Sequence, residues 1–564
     1  MNQLLIYTTA TGWPEWNIYD DLQTLIIPNA SAIYNAGYVQ FLPCLAKNWT
    51  VSSDGMTYNF SLRQGVNFSN GDPLNSYQVW AEMYGFYYLS GNSSTWLNSY
   101  PVFDMSPVNF GPSTINLLMQ SGVINPSPEL LSIMSNSSWP IYVSGPYNII
   151  FHLSVPFNWF LGALVTYIGL IFDTQYVLVN GGFGTPAAPN SYFNTHPTPG
   201  TGPYMITQVQ PNAYAEFTQN PTYWGRNLTA AQIRANPYLD PGHVKNVILN
   251  YKQDDVVRYG DLSSGTAQIA AIESADWNLI LANPAKFAYL EVPNGALNIE
   301  LGLNTQIYPT NITDVRQAIV HAINYTDLAN KAFFGDMSPF MGPEYPAWKQ
   351  FYDLGNFPPY QYNLTLADQY LAKANITSMP TFLFRVESGC SYCITTAEVV
   401  QADLSQINIT VNIEVLTPAA LDDPIGAYTT EVPQAAQIGQ ISITGDIEWA
   451  PSALTPADDW VTFVSNGSVY GNYAIYSNPV VQNCVNLLTG STNIQTITSA
   501  CTLAQRQIYN DAPYAWVGAC ELWYCGGSLA WDKNVVAGFY PDAVYTGSDT
   551  LPIFNTVTFV GEGQ

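Results

Sequence analysis

Leu42-Pro43-Cys44-Leu45-Ala46-Lys47-Asn48-Trp49 opens the stretch that decides the fold. It continues through Ser53-Asp54-Gly55-Met56-Thr57-Tyr58-Asn59-Phe60 to Leu62-Arg63-Gln64-Gly65-Val66-Asn67-Phe68-Ser69-Asn70-Gly71-Asp72-Pro73. Ser53-Asp54-Gly55 is a turn signal, because an Asp side chain can bond its own backbone and Gly accepts a positive φ. Tyr58, Phe60 and Leu62 alternate with polar residues and should line one face of a half-buried strand. Gly65 and Gly71 mark two further reversals. By itself this is a β-meander closed by turns, a unit many folds contain.

Taken in order, its fixed positions read Pro-x-Leu-Ala-x-x-Trp, Asp-Gly-x-x-Tyr-x-Phe, Leu-Arg-x-Gly-Val-x-Phe and Gly-x-Pro. That order closely resembles the family 5 extracellular solute-binding proteins, the peptide-type receptors of ABC importers. Three later blocks carry the same resemblance. Gly200-Thr201-Gly202-Pro203-Tyr204 leads through a variable strand to Asn220-Pro221-Thr222-Tyr223-Trp224-Gly225, similar to the family's Gly-Thr-Gly-Pro-Tyr and Asn-Pro-x-Tyr-Trp pair. Asn304, Asp314-Val315-Arg316-Gln317-Ala318-Ile319 and His321-Ala322-Ile323-Asn324 resemble its Asp-x-Arg-Gln-Ala-x-x-x-Ala-Ile-Asp helix, with Asn324 replacing the usual Asp. Asp511-Ala512-Pro513 with Val535-Val536-Ala537-Gly538-Phe539 matches the C-terminal return. The blocks span nearly the whole chain in the family's order.

The resemblance implies an α/β, periplasmic-binding-protein-like fold: two lobes with hinge-crossing strands and an extra inserted domain, the large peptide-binding type. Lobe one would be discontinuous, residues 1–42 plus 191–295 plus 526–564, with the inserted domain at 43–190 and lobe two at 296–525. Length agrees, since 564 residues exceed what one core accommodates. No low-complexity tract separates the halves, so the domains should be interwoven. Locally, residues 314–330 read as a helix after a strand ending near Asn304, and 395–407 as a helix leading to a strand at 409–415.

Lys and Arg total 15 against 41 Asp and Glu, a formal charge of −26, yet charged residues are only 10% of the chain. The surface must therefore be built from neutral polar groups, which keep their hydrogen bonds at any pH, whereas carboxylates neutralise near about pH 4. Two readings stand: adaptation to an acidic medium, or simply an acidic secreted protein. Nucleic acid is excluded as an expected partner, because a polyanion would be repelled.

Asn-x-Ser/Thr sequons are dense, and the candidates for glycosylation are Asn29, Asn92, Asn136, Asn227, Asn311, Asn363, Asn375 and Asn466. Together with the charge pattern they suggest an exterior, cell-surface location. The chain opens Met1-Asn2-Gln3-Leu4-Leu5-Ile6-Tyr7, which lacks a basic n-region and reads as a first strand. The most apolar run, residues 157–172, is shorter than the about 20 residues a spanning helix needs and is expected to be a core helix. Family 5 receptors of archaea often carry an anchor beyond the C-terminus, so a membrane anchor outside this sequence and an archaeal cell surface are expected.

Seven cysteines cannot all pair with one another. By spacing, the disulfide candidates are Cys390 with Cys393, Cys484 with Cys501, and Cys520 with Cys525, leaving Cys44. Gly389-Cys390-Ser391-Tyr392-Cys393 also has redox or zinc spacing, but no second Cys pair with His at metal spacing accompanies it, and structural disulfides are the expectation. Catalytic signals are thin. His152, His196, His243 and His321 are scattered, and carboxylate pairs such as Glu15 with Asp20 have no fixed separation in sequence. No enzyme, cofactor or metal is expected.

The ligand site should lie in the interlobe cleft. Peptide receptors of the resembled family commonly carry a Trp-x-x-Asp segment whose aspartate can hold the ligand's amino terminus; here Trp449-Ala450-Pro451-Ser452 has Ser at that position. Asp458 and Asp459, before Trp460, either take over the charge or cap a helix. Trp449 is the leading ligand contact, since a flat indole offers stacking worth about 0.5–1.5 kcal/mol beyond burial. Trp13, Trp16, Trp460, Trp523 and Tyr524 are further candidates, each equally readable as core in a chain with 14% aromatic residues. The expected protein is a monomeric receptor that binds an oligopeptide and hands it to the membrane permease of an ABC importer. An oligosaccharide is the alternative ligand, and a structural surface glycoprotein a remote third reading.

Overall fold

The computed structural model describes residues 3–8, 22–28, 40–89, 103–157, 159–165, 169–211, 213–252, 254–273, 276–291, 297–344, 355–388, 390–417, 443–444, 460, 464, 472, 474–491, 493–520, 522, 527–538 and 554–561. Among these, three main sheets of seven, five and four strands organise the chain. In chain order their strands are β1 (Gln3–Thr8), β2 (Ala46–Val51), β3 (Thr57–Leu62), β4 (Ile141–Val143), β5 (Asn148–His152), β6 (Tyr204–Gln210), β7 (Tyr214–Gln219), β8 (Asn246–Tyr251), β9 (Ile269–Ile272), β10 (Phe287–Tyr289), β11 (Leu297–Leu303), β12 (Phe382–Glu387), β13 (Val411–Leu416), β14 (Ile443–Thr444), β15 (Tyr514–Cys520) and β16 (Ser528–Asp532). The helices that matter below are α1 (Ser76–Leu89), α2 (Thr313–Ala322), α3 (Tyr325–Ala332), α4 (Leu364–Ala374), α5 (Ser391–Ser405), α6 (Pro479–Gly490) and α7 (Ile494–Asp511).

The opening meander forms the four-stranded sheet, order β2-β3-β5-β4. Alternation decides its facing: Tyr58, Phe60 and Leu62 are buried, and Phe60 meets Phe151 of β5 edge-on at 5.7 Å. The Ser53-Asp54-Gly55 turn closes as read, with the Met56 N–H donating to Asp54 Oδ1 at 3.0 Å and Gly55 at φ 72. Behind the sheet, α1 is buried on most sides. Its Trp80 stacks on Trp139 at 5.7 Å and donates through Nε1 to the Ile141 carbonyl at 3.0 Å, so the indole's polar edge is satisfied inside the core.

The seven-stranded sheet runs β6-β7-β8-β1-β9-β16-β10, with β1 parallel to β8 and β9. The two family blocks near residues 200 and 220 flank a hairpin of two strands, β6 and β7, and meet at its base, where Asn220 Nδ2 donates to the Gly202 carbonyl at 2.9 Å. They also fasten the meander to this sheet: the Arg63 guanidinium lies 4.5 Å over the Trp224 ring, and Trp224 Nε1 donates to Gln23 Oε1 at 2.8 Å.

The five-stranded sheet runs β13-β12-β14-β11-β15. Here β12 and β13 are parallel and joined through α5, while β11 and β15 are antiparallel. The single helix expected over 314–330 is instead two, α2 and α3, broken at Ile323 and Asn324. The break has a local cause: Asn324 Oδ1 accepts from the Asp327 N–H at 3.1 Å, an N-cap that starts a second helix, while the Asn324 N–H donates to Asp403 Oδ2 at 2.8 Å. The core helix expected over 157–172 is also corrected. Among the described residues of that run only Phe160–Ala163 is α-helical, and Leu170–Ile171 is a short strand. At Gly169 the chain passes so close to the Leu164 carbonyl that a Cβ would lie 1.8 Å from it, a reversal that a continuous helix cannot make.

Candidate functional site

The seven- and five-stranded sheets are linked by two crossings of the chain, from β10 into β11 and from β15 back to β16. The crossings run side by side: Glu291 pairs with Leu522 in an isolated antiparallel bridge, and the Leu522 N–H donates to Asp336 Oδ2 at 3.0 Å. A pair of adjacent connections lets two rigid lobes rotate about one axis, which is the geometry of hinge closure. A ligand site between such lobes is the default expectation for a domain interface of this kind.

β11 begins directly after the first crossing. Ile299, Leu301 and Leu303 point into the lobe-two core, each 0% exposed, while Asn298 and Glu300 alternate to the other face, buried at 0% and 1%. Among the described residues, neither Oδ1 nor Nδ2 of Asn298, both buried, has a hydrogen-bond partner. Such a group costs about 1–3 kcal/mol, and native chains keep few of them. Opposite, Glu300 pairs in register with Trp516 of β15. Trp516 meets Phe340 edge-on at 5.6 Å and Tyr514 at 4.9 Å, and Gly342 admits the indole, since a Cβ there would sit 2.5 Å from the ring.

The Asp-Val-Arg-Gln block positions the return crossing. On α2, Arg316 donates through Nε to the Asp511 carbonyl at 2.8 Å and through Nη1 to the Thr310 carbonyl at 2.7 Å. Gln317 Nε2 donates to the carbonyls of Tyr509 and Asn510, both at 2.9 Å. The Asp511 carboxylate accepts at Oδ2 from Tyr476 at 2.6 Å, Gln507 at 3.0 Å and Asn478 at 3.2 Å. Burial holds the Arg316 guanidinium below its usual pKa, with Asp511 opposing, and burial together with Asp511 pushes the Tyr476 phenol well up. These side chains fix residues 509–511, three positions before β15 begins at Tyr514.

A contact across the lobes lies elsewhere. Trp159, just before the short helix in the four-stranded unit, donates through Nε1 to the Leu488 carbonyl of α6 at 3.0 Å. Carbonyls in a helix's last turn have no intrahelical donor, so Leu488 offers its oxygen without loss. Nothing in the sequence signalled this contact, whose partners are 329 positions apart.

Of the aromatic and acidic residues named from sequence, Trp460 is described. It is 0% exposed, and its Nε1 donates to Glu344 Oε2 at 2.9 Å, with Glu344 itself 0% exposed. The indole is enclosed and here serves to satisfy a buried carboxyl. Trp13, Trp16, Trp449, Asp458, Asp459, Trp523 and Tyr524 lie outside the described residues. Cys390 and Cys393 are disulfide-bonded. Cys484 and Cys501, expected as a bridge, are instead two buried free thiols, one on α6 and one on α7. Cys520 is a buried thiol, and Cys525 lies outside the described residues. Cys44 is buried, and that burial pushes its thiol up to about 12. Among the candidate sequons, Asn136, Asn227, Asn311, Asn363 and Asn375 are exposed, whereas Asn29, Asn92 and Asn466 lie outside the described residues.

The four histidines are dispersed in space as in sequence: His321, for example, donates through Nδ1 to the Gln361 carbonyl at 2.8 Å, and His243 bonds Asp240 at 3.1 Å. Among the described residues no group of three or more His, Cys, Asp or Glu is placed to hold a metal, and no helix is long and apolar enough to cross a membrane.

Two α/β lobes on paired crossings, with a third unit reaching across, form a two-lobe, periplasmic-binding-protein-like fold. The family model for bacterial extracellular solute-binding proteins, family 5 Middle, matches residues 40–470, and the chain belongs to that family. Membership places it among ligand binders, not enzymes. Di/tripeptide-binding protein 2 of Pseudomonas aeruginosa (strain UCBPP-PA14) is 25% identical over 394 residues, covering 68% of this chain and 65% of the relative. The nickel-binding periplasmic protein of Escherichia coli (strain K12) is 25% identical over 395 residues, covering 66% and 62%. The chain thus spans slightly less than two thirds of the length of both relatives. Among solved structures, the ABC transporter-associated periplasmic binding protein DppA from Helicobacter pylori in complex with peptide STSA superposes with a TM-score of 0.68 at 19% identity, covering 99% of this chain and 98% of that one. That likeness is one of fold.

Proposed function

We propose that this chain is the extracellular receptor of an ABC importer, capturing oligopeptides between its lobes and delivering them to the membrane permease. The observation that carries the reading is the pair of crossings at Glu291 and Leu522, which joins two complete sheets through one hinge. Asn298 supports the peptide class: beside that hinge it offers one buried donor and one buried acceptor, the complement of a peptide unit's C=O and N–H. The names of the similar proteins, a di/tripeptide-binding protein and a receptor bound to a peptide, point the same way.

One observation favours an oligosaccharide instead. Ser452 stands where peptide receptors of the family commonly hold the ligand's amine with Asp, and Trp449 precedes it by three residues. Sugar rings stack on an indole without an opposing charge. Titration of tryptophan fluorescence with tri- to hexapeptides, and separately with cello- and malto-oligosaccharides, tests the choice. Saturation by peptides alone is expected; saturation by sugars alone overturns the peptide reading.

The proposed workplace is outside the cell, with the chain acting as a monomer attached through an anchor beyond this sequence. Exposed sequons at Asn136, Asn227, Asn311, Asn363 and Asn375 are open to glycosylation. Buried carboxyls support an acidic medium: burial pushes Asp173 up to about 7 and Glu82 well above the usual range, so both are most easily housed as neutral acids.

A further inference from the structure

The Cys390–Cys393 bridge occupies a chemically distinctive place. Strands β12 and β13 pair in parallel from Phe382 with Val411 to Glu387 with Leu416, and α5 is the crossover between them. The bridge therefore sits at the carboxyl end of a β-strand, on the first turn of the helix of a β-α-β unit. Cys390 is the N-cap of this 15-residue helix, and its Sγ accepts from the Cys393 N–H at 3.2 Å. The two sulfurs differ in access: Cys390 is half-buried, and Cys393 is 5% exposed.

This is the layout on which thiol–disulfide exchange depends. An outer sulfur is open to attack, an inner one is sheltered, and a helix N-terminus stabilises the outer thiolate. The first turn of α5 carries no acidic residue to oppose that charge. A purely structural role gains little from the bridge, because its cysteines are three positions apart and tie no second element to the helix. The chain's other described cysteines, Cys44, Cys484, Cys501 and Cys520, are all buried thiols. Among the described residues, cysteine sulfur is thus sealed in the core except at this pair.

We propose that Cys390–Cys393 is a thiol–disulfide exchange site that takes electrons from low-molecular-weight thiols. A thiolate RS⁻ attacks Cys390 Sγ, forming the mixed disulfide Cys390–S–SR and expelling Cys393 as a thiolate that takes a proton. A second RS⁻ attacks the R-side sulfur, releasing RSSR and the Cys390 thiolate, which the Cys393 N–H holds. Two external thiolates are oxidised to one disulfide, and the protein bridge gains two electrons and one proton, the proton resting on Cys393 while Cys390 stays a thiolate. The site is independent of which ligand the cleft takes.

The test equilibrates the native protein in glutathione buffers of graded ratio, quenches with acid, alkylates and reads the 390–393 peptide by mass. Reduction under native conditions is expected, with Cys393→Ser accumulating glutathione on Cys390 at least about tenfold faster than Cys390→Ser accumulates it on Cys393. Reduction that occurs only after unfolding overturns the proposal, and the wild-type chain alone gives that answer. The double variant Cys390→Ser/Cys393→Ser separates structure from exchange: a fall in melting temperature of less than about 4 °C is expected, and a larger one assigns the bridge to stability.

Discussion

Trp159→Phe removes one hydrogen bond and leaves a ring in the same place. The lost contact, Nε1 to the Leu488 carbonyl at 3.0 Å, joins the four-stranded unit to α6 of lobe two. It can form only while these parts are together, so its net worth falls on the closed state. A neutral hydrogen bond contributes about 0.5–1.5 kcal/mol net, and the carbonyl it leaves can turn to water when the lobes part. That range is a shift of about 2- to 12-fold in the ratio of closed to open forms. Two readouts follow. Small-angle scattering of the free protein should give a larger radius of gyration for the variant, and the tightest-binding peptide from the titration should dissociate faster by the same factor, with its association rate little changed. Identical scattering and identical dissociation would refute the claim that Trp159 holds the lobes together.

Asn298→Ala removes two unsatisfied buried groups, so the free protein should melt at a higher temperature by calorimetry while peptide affinity falls about tenfold; lower stability with unchanged affinity would make Asn298 purely structural. Asp173 faces Asp72 and Asn70 from the neighbouring hairpin and Tyr176 on its own helix, and burial, reinforced by Asp72, pushes its carboxyl up to about 7. Its folded pKa exceeds the unfolded one, so its contribution is complete below about pH 4 and lost as pH rises through about 7. Asp173→Asn keeps the helix cap and removes the charge, so the fall in melting temperature between pH 5 and 8 should flatten in the variant; an unchanged slope contradicts this. Arg316→Met strands the carbonyls of Thr310 and Asp511 and should cost about 3 kcal/mol, read as a lower urea midpoint with unchanged m.

The opening meander was legible because alternation and turn chemistry act within a few residues: Tyr58, Phe60 and Leu62 face inward and Gly55 turns at positive φ. Two helices were misjudged where a local signal competed with an apolar period. Asn324 looked like a conservative change inside one helix, yet it caps a second. The run at 157–172 was long and apolar enough to read as a helix, but Gly169 marks a close backbone approach that only the folded chain reveals. The site was harder still. Trp460 was named for its indole, and the structure encloses that indole against Glu344. Asn298 did leave a trace, as one of the two polar members of Asn298-Ile299-Glu300-Leu301, but alternation gives a facing and not a burial. The Arg316 and Gln317 block was recognisable in sequence, and its physical task, gripping residues 509–511, was not.

The return crossing has a bearing on how the chain is made. β15 pairs with β11 in one lobe, and β16 then inserts between β9 and β10 in the other. The lobe-one sheet therefore keeps an open slot from the synthesis of Tyr289 until that of Ser528, about 240 residues later, or about 12–48 s at about 5–20 residues per second. The seven-stranded sheet therefore cannot be completed until nearly all of the chain has been synthesised. The same slot means that a cut at the return crossing would divide the seven-stranded sheet between two fragments, leaving its inner strand Ser528–Asp532 on the shorter one.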